Sequence, residues 1–316
     1  MFQGMEYVYM VYKEKSFSRA AKMLFISQPS LSATIKRIEN KVGYPIFDRS
    51  TKPLSLTACG QHYIRAVEQI MAIQNDFSTY INDLGKLKSG NLVIGGSSLY
   101  SSLVLPNMIT RFSQEYPGVE IALVEESTSK LAEMLQQGSV DLIFDNCYLD
   151  PMIYDREYYE SERLLLAVPK NLEVNKDLAR YQIPVKHIID DSYLEEKWEA
   201  VPLDFFKNEP FVMLKMENDT RKRAMEMCQS YGFIPKILFE LDQQMTSYHI
   251  TCSGVGISFV SDLLIKGVPE NSNVSYYKID RKQSERKVYF YWKRGRYFSR
   301  AMEEFLRVVR SDIMQK

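Results

Sequence analysis

The sequence predicts a multidomain α + α/β protein: a winged helix-turn-helix at residues 1–57, a long linker helix and hinge at 58–89, and a two-lobed α/β domain at 90–316. Three observations carry this prediction. Ser16 to Thr57 holds two short capped helices with a basic hairpin behind them. From Thr57 to about Leu87 there is no proline, and apolar residues return every three or four positions. Beyond Gly90, strand-like runs alternate with helix-like ones. At 316 residues the chain exceeds one typical domain.

In the first segment, Ser18 precedes Arg19–Leu24 and is read as a helix N-cap, because a hydroxyl accepts from the orphan N–H groups of a first turn. Ala20, Ala21 and Leu24 share a face, and Phe25-Ile26 makes a turn. Ser27 caps the second helix, where Pro29 in the first turn loses no hydrogen bond. Leu31, Ile35 and Ile38 form its buried stripe. The other face carries Gln28, Pro29, Ser32, Ala33 and Lys36, slim and hydrogen-bonding. Such a face suits a major groove. Val42 to Leu56 reads as a two-stranded wing whose polar turn holds Arg49, Lys52 and Pro53, suited to phosphates or a minor groove. The expected DNA-contacting set is Ser27, Gln28, Pro29, Ser30, Ser32, Lys36, Arg49, Lys52 and Pro53, with double-stranded DNA as partner.

Charge agrees. Residues 1–57 carry nine basic and four acidic groups, a local net charge of +5, although the whole chain balances 40 against 40. Basic charge gathered at one end is an electrostatic footprint for nucleic acid.

Residues 4–60 resemble the winged helix-turn-helix of the LysR-type transcriptional regulators. The matching runs are Ser16-Phe17-Ser18-Arg19-Ala20-Ala21, Ser27-Gln28-Pro29-Ser30-Leu31-Ser32, then Ile35, Arg37 and Glu39, Gly43-Tyr44-Pro45-Ile46-Phe47-Asp48-Arg49, and Leu56-Thr57 with Gly60. The resemblance implies a homo-oligomeric repressor or activator, a tetramer built as a dimer of dimers, with RNA polymerase open as a further partner. It also implies an effector-sensing C-terminal domain like the periplasmic binding proteins, which the element order and Gly254-Val255-Gly256-Ile257 echo more weakly.

The long helix places Tyr63, Val67, Ile70, Ile73, Phe77, Tyr80 and Leu84 on one seam. With little of its own domain to pack on, it is expected to dimerise through Tyr63, Val67, Ile70, Phe77 and Leu84; packing on the C-terminal domain is the alternative. After the hinge, strands at about 91–95, 119–124 and 140–144 alternate with helices at about 101–116 and 129–137, predicting a mostly parallel sheet. The chain is expected to cross between lobes near Asn146–Glu162 and Ser261–Pro269. Lobe 1 then takes about 90–162 and 267–316, and lobe 2 about 163–266. Ligands in such sheets bind beyond the carboxyl ends of strands. This selects Ser97, Ser98, Thr128, Asn146 and Thr220 as the effector site, with helix and turn capping as the plainer role of all five. The expected effector is a carboxylate or similar small polar metabolite, since no arginine is obviously placed for a phosphate. Val185 to Asp204 is acidic and long for a connection, and reads as a surface insertion, with a lid or an extra helix as alternatives.

Other chemistry finds no support. His62, His187 and His249 lie far apart without metal-ligand spacing. The nucleophile-elbow and P-loop patterns are absent. No catalytic residue, metal or cofactor is expected. Cys59, Cys147, Cys228 and Cys252 show no C-x-x-C spacing and read as reduced thiols. The Glu217–Arg221 neighbourhood holds no cysteine where peroxide-sensing relatives carry one, so a redox sensor is the lesser reading within the family, and a solute-binding α/β protein with a helical appendage is the rival outside it. No signal peptide is evident and no apolar run approaches the roughly 18–20 residues of a membrane span. A cytoplasmic, non-membrane protein is expected.

Overall fold

A computed structural model describes residues 1–83 and 90–313. Leu84 of the expected seam and the expected hinge at 85–89 lie outside the described residues. The chain divides into two compact units, the first built on Met1–Leu84 and the second on the chain from Gly85 onward.

The first unit begins with α1 (Met5–Glu14), a helix the sequence reading passes over. Its Met5, Val8 and Val11 are buried. Next come α2 (Phe17–Met23) and α3 (Gln28–Val42). Ser16, not Ser18, caps α2: its extended backbone lets its Oγ accept from Arg19 N at 3.3 Å, whereas Ser18 lies inside the first turn. Ser27 Oγ accepts from Ser30 N at 3.4 Å, and Leu31, Ile35 and Ile38 are buried as their spacing predicts. The wing is short, with β1 (Phe47–Asp48) antiparallel to β2 (Ser55–Leu56). The long helix α4 (Ala58–Asp83) follows. At its start the backbone presses on the wing, for a Cβ on Gly60 would sit 2.0 Å from the Ile46 carbonyl oxygen.

The helix seam is corrected by this packing. Tyr63, Ile64 and Val67 are buried in the first unit's own core with Val8, Val11, Leu31 and Ile46, and Ile70 packs at its edge. Three helices and a wing offer α4 an apolar bed for its first turns. Tyr63 and Val67 are therefore spent within the domain. The apolar residues left bare on α4 are Ile73, Phe77, Tyr80 and Ile81, with Phe77 at 64% exposure.

In the second unit, β3 (Gly90–Gly96) leads to α5 (Ser98–Leu103) and α6 (Leu105–Glu115), two helices where one was expected. Pro106 explains the break, because a proline fits only in the first turn of a new helix. Then follow β4 (Val119–Glu125), α7 (Thr128–Gln137) and β5 (Leu142–Asp145). Strand β3 pairs in parallel with both β4 and β5.

The chain crosses to the second lobe inside one long strand, β6 (Tyr154–Pro169), whose first half the sequence reading left unassigned. The second lobe holds β7 (Gln182–Ile183), α8 (Val185–Ile189), β8 (Pro210–Leu214), α9 (Asp219–Ser230), β9 (Lys236–Leu241), α10 (Gln244–Cys252), β10 (Ser258–Ser261), α11 (Asp262–Gly267) and β11 (Val274–Lys278). The one-turn α12 (Arg281–Ser284) leads into β12 (Glu285–Lys293), and α13 (Arg300–Ile313) packs beside α6 through Met302, Phe305 and Val309. Strand β12 pairs with the first half of β6, while β10 and β11 pair with its second half, all antiparallel. The sheet is thus mixed and not mostly parallel.

The return crossing also moves. It runs through Ile279–Glu285 and not Ser261–Pro269, because β11 stays in the second lobe by pairing with β6 and β7. Val274, Tyr276 and Tyr277 are buried there. Residues 267–279 accordingly leave lobe 1. The acidic segment is no surface insertion: Val185, Ile188, Tyr193, Val201 and Leu203 are buried in the second lobe's cores. Their spacing among acidic residues hid an apolar set. Among the described residues no helix is long and apolar enough to cross a membrane.

Candidate functional site

The first unit presents a polar surface from α3 and the wing. Ser27, Gln28, Pro29, Ser30 and Lys36 are exposed, and Ser32 is half-buried. Pro29 and Lys36 stand away from the buried stripe, while Gln28 and Ser32 flank it. Lys52 and Pro53 are exposed at the wing tip. Arg49 is exposed but engaged: its Nη2 lies 3.2 Å from Glu39 Oε2, and its guanidinium sits 5.0 Å from the centre of the Phe17 ring. Glu39 is the brace of this surface, a role its sequence position does not announce. Its Oε1 accepts from the buried amides of Ile46 at 2.8 Å and Phe47 at 3.2 Å, tying α3 to the wing. The wing turn is held by Asp48, whose Oδ1 accepts from Ser50 N and Oγ; those bonds push its carboxyl below the usual range.

The second unit gathers a buried polar network where β6 crosses between lobes. Glu162 and Arg286 are paired residues of β6 and β12, 0% and 4% exposed, with Nη2 2.7 Å from Oε1. Glu162 also accepts from Tyr100 OH at 2.8 Å, Asn146 Nδ2 at 2.5 Å and Ser261 Oγ at 2.5 Å. Arg286 Nη1 donates to Thr220 Oγ1 at 2.8 Å and lies 3.6 Å from Asp219. Gln244 accepts from Ser261 N at 2.9 Å. Tyr100 and Asn146 belong to the first lobe, whereas Ser261, Thr220 and Gln244 belong to the second. One ion pair therefore holds polar groups of both lobes. Burial works against the Arg286 charge, yet Glu162 and the neighbouring acids hold its pKa above the ordinary value. The Tyr100 hydroxyl is pushed well up by burial and by Glu162.

Of the residues expected at the effector site, Asn146 and Thr220 meet in this network. Thr128 joins at one remove: its Oγ1 donates at 2.9 Å to Asp145 Oδ2, and Asp145 is buried at the end of β5. Burial raises the Asp145 carboxyl above its usual range, against the bonds from Thr128 and from the Cys147 amide. Ser97 and Ser98 lie at the head of the short α5, and Ser97 makes no side-chain capping bond. Neither hydroxyl enters the network. Arg286, read from sequence only as the start of a strand, lies buried at this junction with its guanidinium committed to Glu162 and Thr220. Glu162, Arg286, Tyr100, Asp145, Ser261 and Gln244 were all missed. The available signal was a charged residue at the start of an apolar run, as in Glu162-Arg163-Leu164, since buried charges need partners.

Three of the four thiols are sheltered. Burial pushes Cys228 up to about 12, and also raises Cys147 and Cys252. Among the described residues, no cluster of His, Cys, Asp and Glu is arranged to hold a metal ion.

Residues 2–61 match the family model for the bacterial regulatory helix-turn-helix protein of the lysR family, and residues 85–313 match the LysR substrate binding domain. The chain is 28% identical over 318 residues to the uncharacterized HTH-type transcriptional regulator YcgK of Bacillus subtilis (strain 168), covering 98% of this chain and 94% of that one. It is 28% identical over 300 residues to a probable RuBisCO transcriptional regulator of Synechocystis, covering 94% and 81%. Among solved structures, the LysR family regulator CbnR in complex with its target DNA aligns with a TM-score of 0.67 at 15% identity over 98% of this chain and 99% of that one. The BenM effector binding domain with its effector benzoate aligns with a TM-score of 0.55 at 20% identity, over 72% and 93%. With both of its units matched, this chain belongs to the LysR family of transcriptional regulators, a DNA-binding regulator with an effector-binding domain.

Proposed function

We propose that the regulator acts as a cytoplasmic homodimer, assembled further into a tetramer, whose DNA affinity is set by a small polar metabolite held between the lobes. The domain division into a reader at 1–57, a linker at 58–89 and a sensor at 90–316 is part of this reading. The observation that carries it is the Glu162–Arg286 pair gathering Asn146 from one lobe and Thr220 from the other. A ligand that engages those groups changes what holds the lobes together, and so favours one lobe arrangement. Ser97, Ser98 and Thr128 complete the ligand's surroundings. A carboxylate is the preferred class, supported by benzoate in the similar BenM domain. RNA polymerase is the partner through which the bound regulator would act. Small-molecule sensing is preferred over thiol chemistry because burial disfavours the thiolate at Cys147, Cys228 and Cys252. A metabolite screen by thermal shift on the full chain tests the sensor, since a ligand of the folded state raises stability. The Ser98→Ala/Thr128→Ala protein should lose that shift and keep its unliganded DNA affinity. A metabolite that binds it at full affinity would remove the cleft assignment.

On DNA, Gln28, Ser30 and Ser32 are assigned to base edges, with Ser27, Pro29 and Pro53 beside them, and Lys36 and Lys52 to phosphates; Arg49 divides its charge between Glu39 and the backbone. Gln28→Ala should cost about 1–3 kcal/mol of discrimination between sites. Lys52→Ala should weaken all sequences alike and lower the salt slope by roughly one. Competition binding at several salt concentrations reads both; an unchanged site preference removes Gln28 from the reading set. For the dimer, the bare stripe Ile73, Phe77, Tyr80 and Ile81 is the seam. Phe77→Glu should give monomers by sedimentation with the helix-turn-helix still folded. Val67→Glu should instead unfold the first unit, because Val67 lies in its core.

A further inference from the structure

A cavity of about 60 Å³ lies behind the interlobe crossing, on the second-lobe side. Four stretches wall it. Arg163 and Leu165 come from β6, Tyr193 and Leu194 from the acidic segment, Lys278 and Ile279 from the end of β11, and Ser284 from α12. The wall opposite the hinge strand is thus built by the segment that is long for its place in the chain. A single water needs roughly 10–15 Å³ of such space, so this one holds a solute of about four or five heavy atoms.

Its lining has a definite chemistry. Arg163 makes one long contact, Nη2 to Glu285 Oε1 at 3.4 Å, and its Nε is buried without a hydrogen-bond partner. A buried donor left unpaired is uncommon in folded proteins and marks a place where an acceptor fits. Lys278 Nζ donates to backbone carbonyls, Trp198 O at 3.1 Å and Glu195 O at 3.4 Å. The nearby carboxylate of Asp262 is already engaged, accepting from Tyr193 OH at 2.8 Å and from Arg163 N at 2.9 Å. Leu165, Leu194 and Ile279 supply the apolar remainder. A cationic corner with an open donor and aliphatic walls suits an anion with a short hydrocarbon tail. A phosphate, polar on every side, would leave those walls unmatched.

We propose that this cavity is a second ligand site, separate from the interlobe cleft, which takes a short-chain monocarboxylate with its carboxylate at Arg163 and its carbons against Leu165, Leu194 and Ile279. Arg163 directly follows Glu162 in the strand that joins the lobes, so the occupant bears on the same hinge from its other side.

Propionate is the test ligand, with propionamide as its neutral counterpart and chloride at equal ionic strength as the control. Binding to the full-length protein is followed by calorimetric titration and ligand-observed NMR. Propionate should bind saturably and at least about tenfold more tightly than propionamide. Arg163→Gln should weaken it by about tenfold or more. Leu194→Trp, which fills the cavity, should abolish binding while unfolding stays cooperative; Leu194→Phe serves if the larger ring does not fold. The Ser98→Ala/Thr128→Ala protein should bind propionate as the parent does. Absence of saturable binding, which would mean a water-filled cavity, overturns the proposal. So does equal affinity for the amide, binding that survives Leu194→Trp, or binding lost only in the Ser98→Ala/Thr128→Ala protein, which would return the anion to the cleft.

Discussion

Each unit of this regulator holds a Glu–Arg pair that also gathers neighbouring donors, and the two pairs are built in opposite ways. Glu39 and Arg49 lie ten residues apart, with the arginine side chain 47% exposed. Glu162 and Arg286 come from distant parts of the chain, with side chains 0% and 3% exposed. In the first pair the carboxylate matters more than the ion pairing, for it also accepts from two wing amides. In the second, pairing offsets the large cost of keeping two charges out of water. The surface pair is a local brace that sets a wing against a helix. The buried pair is a clasp between lobes, and anything that perturbs it alters both. A reader needs a rigid face; a sensor needs a junction that responds.

The largest expected effect tests the clasp. Arg286→Met leaves the Glu162 carboxylate buried without its cation and should destabilise the second unit by about 3–5 kcal/mol. Neutralising the orphan as well, in Glu162→Gln/Arg286→Met, should recover part of that loss. Gln still offers an oxygen to Tyr100 and Asn146 and a donor to Ser261. Denaturant unfolding of the parent, both single variants and the double closes the cycle. A double variant that is no more stable than Arg286→Met would mean that the gathered hydroxyls, and not the charge, hold the crossing.

The brace should divide unevenly. Glu39→Ala strips the acceptor from the amides of Ile46 and Phe47, both in the buried core, and should cost about 1–3 kcal/mol. Arg49→Ala removes an exposed pair and should cost only about 0–1 kcal/mol. Thermal unfolding of the two variants measures the asymmetry. Equal losses would mean that the ion pair itself fastens the wing, and the contrast between the two units would shrink.

The same contrast decides what could be read from residues alone. Capping by Ser27 and the stripe of Leu31, Ile35 and Ile38 are relations within a turn or two of helix, so the reading helix was legible. Ser18 was preferred to Ser16 because the end of α1, which fixes where α2 begins, went unread. The alternation of strands and helices revealed two lobes. It did not reveal that β11 stays in the second, because strand pairing joins residues far apart in sequence. The clasp was the least legible part. Tyr100, Asn146, Glu162, Ser261 and Arg286 meet only after the sheet has formed, and none carries a local spacing that names its partners. Tyr63 and Val67 failed in the opposite sense: their periodicity was right, but a helical seam does not say which surface covers it.

The smallest effect concerns Asp145, a buried carboxylate beside the clasp whose donors are neutral, Thr128 Oγ1 and the amides of Asn146 and Cys147. Burial raises its pKa above the ordinary 3.8, with Glu162 adding to the rise. The native state therefore takes up the Asp145 proton more readily than the unfolded chain does. Its contribution to stability is fully present below the unfolded pKa and is lost as pH rises through the raised native value. Above that native value the fold carries the cost of burying the charge. Asp145→Asn keeps the shape and an oxygen for the Thr128 hydroxyl while removing the charge. Measured against the parent, its midpoint of thermal unfolding should be higher at high pH, and the difference should shrink as pH falls through the raised native value, where the parent's carboxyl takes up its proton. A difference that does not vary with pH would assign the effect to altered hydrogen bonding at Thr128 and Cys147. In that case the cleft tolerates the Asp145 charge without penalty, and the need for paired charge would be confined to Glu162 and Arg286.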